Sequence, residues 1–284
     1  MDPSAIETAV MAGKLLAVDN LDETVYHSMK NFVSHSMLRG IKESPAKFRW
    51  EMDNPSPPSP AQALGSAIHM ALLEPDKFQV KYAVYPKVDR RTKAGKASHD
   101  EWKKANEDKL HLSENDMLVV ERIHAKTFDD DFFQKFLRKG RKEVSLFAKD
   151  PTTGLLRRAR LDNWIEELGV VVDIKTTDSA QEHVFLSDIT RYQYYTQAAY
   201  YTDMVELVTG SRPKAFVLLA VEKTKDCDIR AFSVSPQALV EGSKIYRSWL
   251  STLAECIASD KWPGYKREFI TYHLPKWLVE ENNL

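Results

Sequence analysis

Residues 156–177 hold two strand-like runs, the first carrying Asp162 and the next Asp173 with Lys175. Glu167, Leu168 and Gly169 separate the runs, a pattern that predicts a β-hairpin with its apex near Glu167-Leu168. Asp162 and Asp173 are equally far from that apex, so an unbulged hairpin makes them a cross-strand pair with Cβ atoms roughly 4.5–5.5 Å apart. Carboxylates at that spacing can ligate one hard divalent cation. Lys175, two residues past Asp173, then points to the same side, because side chains alternate along a strand. Two acids and an ammonium on one face suit metal-dependent phosphodiester hydrolysis.

The preceding segment extends the row. Residues 142–149 alternate polar and apolar and meet a turn at Asp150-Pro151-Thr152-Thr153-Gly154, which predicts a second hairpin with residues 155–165. By symmetry about that turn Glu143 lies opposite Asp162. Three adjacent strands then present Glu143, Asp162 and Asp173, and Val170-Val171-Val172 marks the third as central and buried on both faces. The alignment assumes no bulge, since a one-residue slip turns a side chain to the other face. An Asp-x-Lys on a strand is common by itself. The row of acids distinguishes this one, because ionised carboxylates beside such apolar residues are costly unless a metal or partner compensates.

Helices must position the remaining candidates. Ser59, Pro60 and Gln62 form a capping-box start, predicting a helix through Leu73 that carries His69 four residues after Gly65. A histidine in so apolar a stretch is, taken alone, a core residue bonded to a carbonyl. Gly65 would allow close approach to an active-site sheet. Helix starts are also read at Ser34-His35, Ser44-Pro45, Ser113 and Ser235-Pro236, the last running to about residue 259. A long helix is expected over 189–208, stopping at Gly210, with Gln193, Gln197 and Tyr201 on one stripe. Residues 214–222 and 228–234 read as paired strands. Pro55, Pro57 and Pro58 mark a linker, residues 80–100 a loop with a basic tip, 99–109 a helix, and the tail from Trp262 irregular chain. Residues 1–30 look peripheral, with a short helix over 6–16, leaving 31–284 as a single domain. The order of elements gives an α+β fold, an α/β sandwich with one mixed sheet.

The bulk properties exclude several classes. The chain has 284 residues, 43% of them hydrophobic and 29% charged, and no apolar run long enough for a transmembrane helix. The N-terminus lacks a basic region followed by an apolar core, so a cytoplasmic location is expected. Cys227 and Cys256 are too few for a disulfide framework or a four-cysteine cluster. A net charge of −1 argues against coating nucleic acid through overall charge. Local clusters remain available for phosphate: Lys87, Arg90, Arg91, Lys93 and Lys96; Arg138 to Lys142; and Arg157, Arg158 and Arg160 just before Asp162.

The set His69, Glu143, Asp162, Asp173-Ile174-Lys175 and Gln197-Ala198-Ala199-Tyr200 resembles the PD-(D/E)XK nuclease superfamily. The likeness is greatest to its RecB-like exonuclease branch and to RecE (exonuclease VIII) and related prophage exonucleases. It covers most of the chain after residue 30, including Leu72-Leu73-Glu74-Pro75, Arg90 to Lys96 and Trp262-Pro263-Gly264-Tyr265. The superfamily's proline before the first aspartate is Leu161 here. RecE's long N-terminal extension has no counterpart, so the chain resembles its nuclease domain alone.

The resemblance implies a Mg²⁺-dependent 5′→3′ exonuclease on double-stranded DNA ends, leaving 3′ overhangs for a RecT-type annealing partner in homologous recombination. It also implies a ring-shaped homotetramer around the duplex. His69, Asp162, Asp173 and the Ile174 carbonyl would hold one ion, with room for a second about 3.5–4 Å away. Mn²⁺ should substitute, since histidine is an unusual Mg²⁺ ligand. Lys175 would orient or deprotonate water, Glu143 would be a ligand or an outer-shell base, and Gln197 with Tyr200 or Tyr201 would steady the site or a terminal nucleotide. Arg91, Lys93 and Lys96 are candidates for DNA phosphate contacts. A structure-specific endonuclease of the same fold, and a non-catalytic DNA-binding scaffold, are the alternatives.

Overall fold

The computed structural model describes residues 2–89, 91–224 and 226–274. The basic tip residue Arg90 and the end of the tail lie outside them. The helices are α1 (Pro3–Met11), α2 (Glu23–Ser28), α3 (His35–Leu38), α4 (Pro45–Asp53), α5 (Pro60–Leu73), α6 (Pro75–Lys81), α7 (Lys93–Ala105), α8 (Glu114–Phe128), α9 (Asp131–Leu137), α10 (Glu182–Arg191), α11 (Tyr194–Thr209) and α12 (Pro236–Ser259). The strands are β1 (Leu16–Val18), β2 (Tyr82–Val84), β3 (Leu110–Leu112), β4 (Arg141–Lys149), β5 (Leu156–Ile165), β6 (Val170–Thr177), β7 (Ala215–Glu222) and β8 (Ile229–Ser233). Six strands form one mixed sheet in the order β1-β4-β5-β6-β7-β8, and β2 with β3 forms a small second sheet. Only the β6–β7 pairing of the main sheet is parallel, and the crossover it requires is supplied by α10 and α11. This is the α+β architecture expected.

Apolar alternation on the central strands explains the layering. Val171 on β6 and Phe216, Leu218 and Ala220 on β7 pack with Tyr200, Met204, Tyr246 and Leu250 of α11 and α12. Val172 and Ile174, with Val217 and Leu219, pack against Ile68 and Leu72 of α5 and Ile123 of α8. Helices therefore cover both sheet faces, as the Val-Val-Val run requires. Among the described residues no helix is long and apolar enough to cross a membrane.

Three local expectations fail. The N-terminal segment is built into the fold rather than peripheral: β1 pairs with β4, and Ile6, Val10, Tyr26, Met29 and Phe32 form a third cluster around Phe147. Its apolar residues fall on several short elements, so no single period shows in sequence. The helix expected over 189–208 is two helices, broken at Tyr192 and Gln193, where Gln193 takes φ +58. Gln193 is thus off the stripe that Gln197 and Tyr201 share. The basic loop is also shorter than expected, because Thr92 caps a helix that starts at Lys93.

Candidate metal and nucleic-acid site

The site forms where β5 and β6 part. Their ladder runs over Ile165↔Val170, Trp164↔Val171 and Asn163↔Val172. The next pair by count would be Asp162 and Asp173, the register expected, yet this is where the ladder stops. Leu161 and Trp164 pack on the same face although three residues apart, so the pleat of β5 changes phase between them. Across on β4, Lys142↔Asn163 and Val144↔Leu161 keep the count, while Glu143 between them adopts φ +50. Glu143 and Asp162 are therefore opposite in register, as read from the sequence, but the flat row of upright acids is not what forms. Asp162 turns into the fork and its Oδ2 accepts the Ile174 N–H at 2.7 Å, replacing the missing ladder bond.

The fork admits the histidine. The capping box at Ser59 and Gln62 starts α5, and Gly65 lies so close to β6 that a Cβ there would be 3.2 Å from Thr176 Oγ1. That approach brings His69 Nδ1 within 3.4 Å of Asp162 Oδ2 and next to the Ile174 backbone. Asp173, 1% exposed, is ion-paired with Lys175. His69, Asp162, Asp173, Ile174 and Lys175 are thus gathered in one place.

Burial dominates the electrostatics. It pushes Asp173 up to about 6 despite the neighbouring ammonium, with the Asp162 charge adding to the shift. It raises Asp162 as well, against the pull of Lys175. Glu143 rises to about 8 through burial and then through the charge of Asp162, with Glu74 and Glu23 contributing. His69 is held neutral, its pKa lowered to about 4 by burial and by Lys175. Buried acids resisting ionisation beside a neutral imidazole are what a cation would relieve. Among the described residues no three His, Cys, Asp or Glu side chains stand close enough to enclose an ion. The donor set nevertheless fits a hard divalent ion: two carboxylates, an imidazole and a backbone oxygen, with the Lys175 ammonium on Asp173 in a cation's stead.

Gln197 and Tyr201 lie on the α11 side. Tyr201 lies beside Gln197, and its hydroxyl is raised well above the usual range, by burial first and by the charges of Asp173 and Asp162 among the rest. Tyr200 must be corrected as a DNA contact. It is fully buried, and its hydroxyl donates toward the carbonyls of Val33 at 2.8 Å and Arg158 at 3.1 Å. Neighbouring residues on a helix face directions about 100° apart, so only one of the two tyrosines can address the acids. Lys93 and Lys96 are exposed on the first turn of α7, and Arg91 pairs with Asp89 at 3.0 Å. Among the described contacts none joins these three to the His69–Asp162 group.

Asp162 also lines a cavity of about 300 Å³ with Tyr26, Ser34, Arg158, Arg160 and Tyr201. The backbone at Val33 pairs with β5 at Arg157, opposite β4, and so delivers Ser34 to the wall. Arg160 donates to Ser145 Oγ at 3.2 Å and to the Leu21 carbonyl at 3.0 Å, and its guanidinium lies 4.2 Å from the Tyr26 ring centroid. The basic cluster before Asp162 signalled these arginines. Tyr26 had no signal, since the segment bearing it lacks periodicity. Arg157, from the same cluster, points into the core, paired with Asp150 at 3.0 Å.

A solved structure of a "Putative exonuclease" from Eubacterium rectale is 17% identical and superposes with a TM-score of 0.62, covering 92% of this chain and 98% of that one, which shows a shared fold. The structure of a protein called SSO0001 gives a TM-score of 0.32 at 12% identity, over 68% and 85% of the two chains. None of the curated proteins compared with the chain matches it in sequence. The family model described as a PDDEXK-like domain of unknown function (DUF3799) matches residues 34–272, most of the chain, and the chain belongs to that family.

Proposed function

We propose that the protein is a divalent-metal-dependent nuclease that digests linear double-stranded DNA from its 5′ ends and leaves 3′ overhangs. The observation that carries the reading is the meeting of His69 from α5 with Asp162, Asp173, Ile174 and Lys175 in the β5–β6 fork. His69, Asp162, Asp173 and the Ile174 carbonyl would hold Mg²⁺, or Mn²⁺ in its place. A metal there supplies an acidified water and charge stabilisation at the scissile phosphate. Once its partner Asp173 is otherwise engaged, Lys175 is free to neutralise a phosphate oxygen and orient the attacking water. Glu143, raised to about 8, exchanges a proton near neutrality, which suits a carboxyl that takes the water's proton. Gln197 steadies Tyr201 beside the acids.

Exonuclease rather than endonuclease action is favoured by the cavity beside Asp162. Its volume of about 300 Å³ is that of a small-ligand pocket, suited to one terminal nucleotide with Arg158 and Arg160 toward its phosphate. The 5′ polarity, the tetrameric ring and a RecT-type annealing partner follow from the resemblance to RecE-like exonucleases. Duplex labelled at one 5′ end should be shortened from that end with Mg²⁺, while a closed circle survives in the same tube. Cut circles would sink the exonuclease reading. Sizing the same sample by light scattering tests the ring, and digestion by Asp173→Ala as fast as by the parent would overturn the metal site.

A further inference from the structure

Beside Lys175 the helical layer is interrupted in a way that continuous packing does not need. α10 ends at Arg191, α11 begins at Tyr194, and Gln193 between them holds φ +58 and ψ +42. A non-glycine residue pays about 1–2 kcal/mol for that left-handed conformation, and such strain concentrates at functional sites. The break changes what two tyrosines can do. In an unbroken helix Tyr192 and Tyr194 would point about 200° apart. Here their rings stack, centroids 5.6 Å apart and planes inclined by 28°.

A cation stands at each end of the pair. The Arg191 guanidinium is 5.3 Å from the Tyr192 centroid, and the Lys175 ammonium is 5.0 Å from that of Tyr194. Tyr192 is 39% exposed, so the outer ring is open to solvent. The side-chain oxygen of Gln193, the residue between the two tyrosines in sequence, is buried with no hydrogen-bond partner, an orphan of the kind a ligand or water completes.

We propose that Arg191, Tyr192, Tyr194 and Lys175 form a stacking track for unpaired DNA, leading a single strand to the lysine at the centre. Proteins that bind single strands combine cations for the backbone with aromatic faces for the bases. Bases within a duplex are already stacked on one another, so the track selects frayed or single-stranded DNA. The proposal rests on the nuclease reading for what the strand is led to, but its binding arm does not require cleavage.

The test uses the full chain with a fluorescein-labelled thymidine decamer and a blunt hairpin duplex, by anisotropy in chelator. The parent should bind the decamer, and Tyr192→Ala should bind it about tenfold more weakly. The hairpin should be much less affected. Tyr192→Phe should restore binding, because the ring face remains, with the melting temperature unchanged in both variants. With Mg²⁺, Tyr192→Ala should raise KM for a frayed-end duplex and leave kcat nearly as it was. A parent that ignores the decamer, a Tyr192→Ala protein that binds it as tightly as the parent, or a Phe variant as weak as the Ala variant overturns the track. A parent that binds through Tyr192 yet digests no DNA supports the track and removes the nuclease reading instead.

Discussion

Asp162 and Asp173 are close in the fold but differently occupied. One carboxylate replaces a ladder hydrogen bond and meets His69, while the other is paired with Lys175. Replacing Asp173 by Asn removes a ligand with little change of shape, and activity should fall by about 100-fold or more. The same variant should lose the rise in melting temperature that Mg²⁺ or Mn²⁺ gives the parent; an undiminished rise would place the ion elsewhere. Protons should also be released as the metal binds. Because Asp173 is raised to about 6, it is largely protonated at pH 5 and ionised at pH 7, so apparent affinity should climb across that interval. Calorimetric titration at pH 5.5 in two buffers of different ionisation enthalpy measures the release, and identical heats would contradict it.

α11 and α12 meet at a glycine, and that contact holds Gln197 and Tyr201 in place. A Cβ on Gly242 would lie 2.6 Å from the Tyr195 carbonyl oxygen and 2.9 Å from Ala199 Cβ, so the helices must separate to admit it. Gly242→Ala should cost about 1–3 kcal/mol in denaturant unfolding, with reduced activity because Tyr201 moves with α11. A variant as stable as the parent would show that this interface yields easily. Gly65 offers a milder contrast, since the Thr176 hydroxyl 3.2 Å from its notional Cβ can rotate away. The helices starting at Ser44, Ser59, Ser113 and Ser235 could be read in advance, because each side-chain cap lies within three residues of what it caps. The break at Gln193 could not. Neither Pro nor Gly marks it, and its left-handed backbone is sustained by surroundings distant in sequence.

Acid should destabilise the whole molecule through buried histidines. His35 is buried with Nε2 2.8 Å from Thr196 Oγ1, and burial, then the charges of Lys175 and Arg39, lowers its pKa to about 3. The unfolded chain takes up that proton near its ordinary value of 6.5, whereas the folded protein resists until about 3. Stability is therefore present above 6.5 and lost as pH falls toward 3, by about 2 kcal/mol at pH 5. His69, lowered to about 4, acts in the same direction. Urea unfolding at pH 7 and pH 5 should show the parent losing more than His35→Gln by about that amount; equal losses would rule out His35 as the source.

By itself the sequence determined the strand order around the acids, the helix carrying His69, and the grouping of Asp162, Asp173 and Lys175. Those rest on apolar periodicity, caps and turn residues, which act over a few positions. Only tertiary structure decided that β5 and β6 separate at Asp162, that the count from Glu143 across to Asp162 survives a change of pleat, and that Tyr201 rather than Tyr200 faces the acids. It also decided that residues 2–30 complete the sheet edge and wall the cavity through Tyr26. Each of these follows from one segment competing for space or hydrogen bonds with another far along the chain. Residue spacing carries no record of that competition.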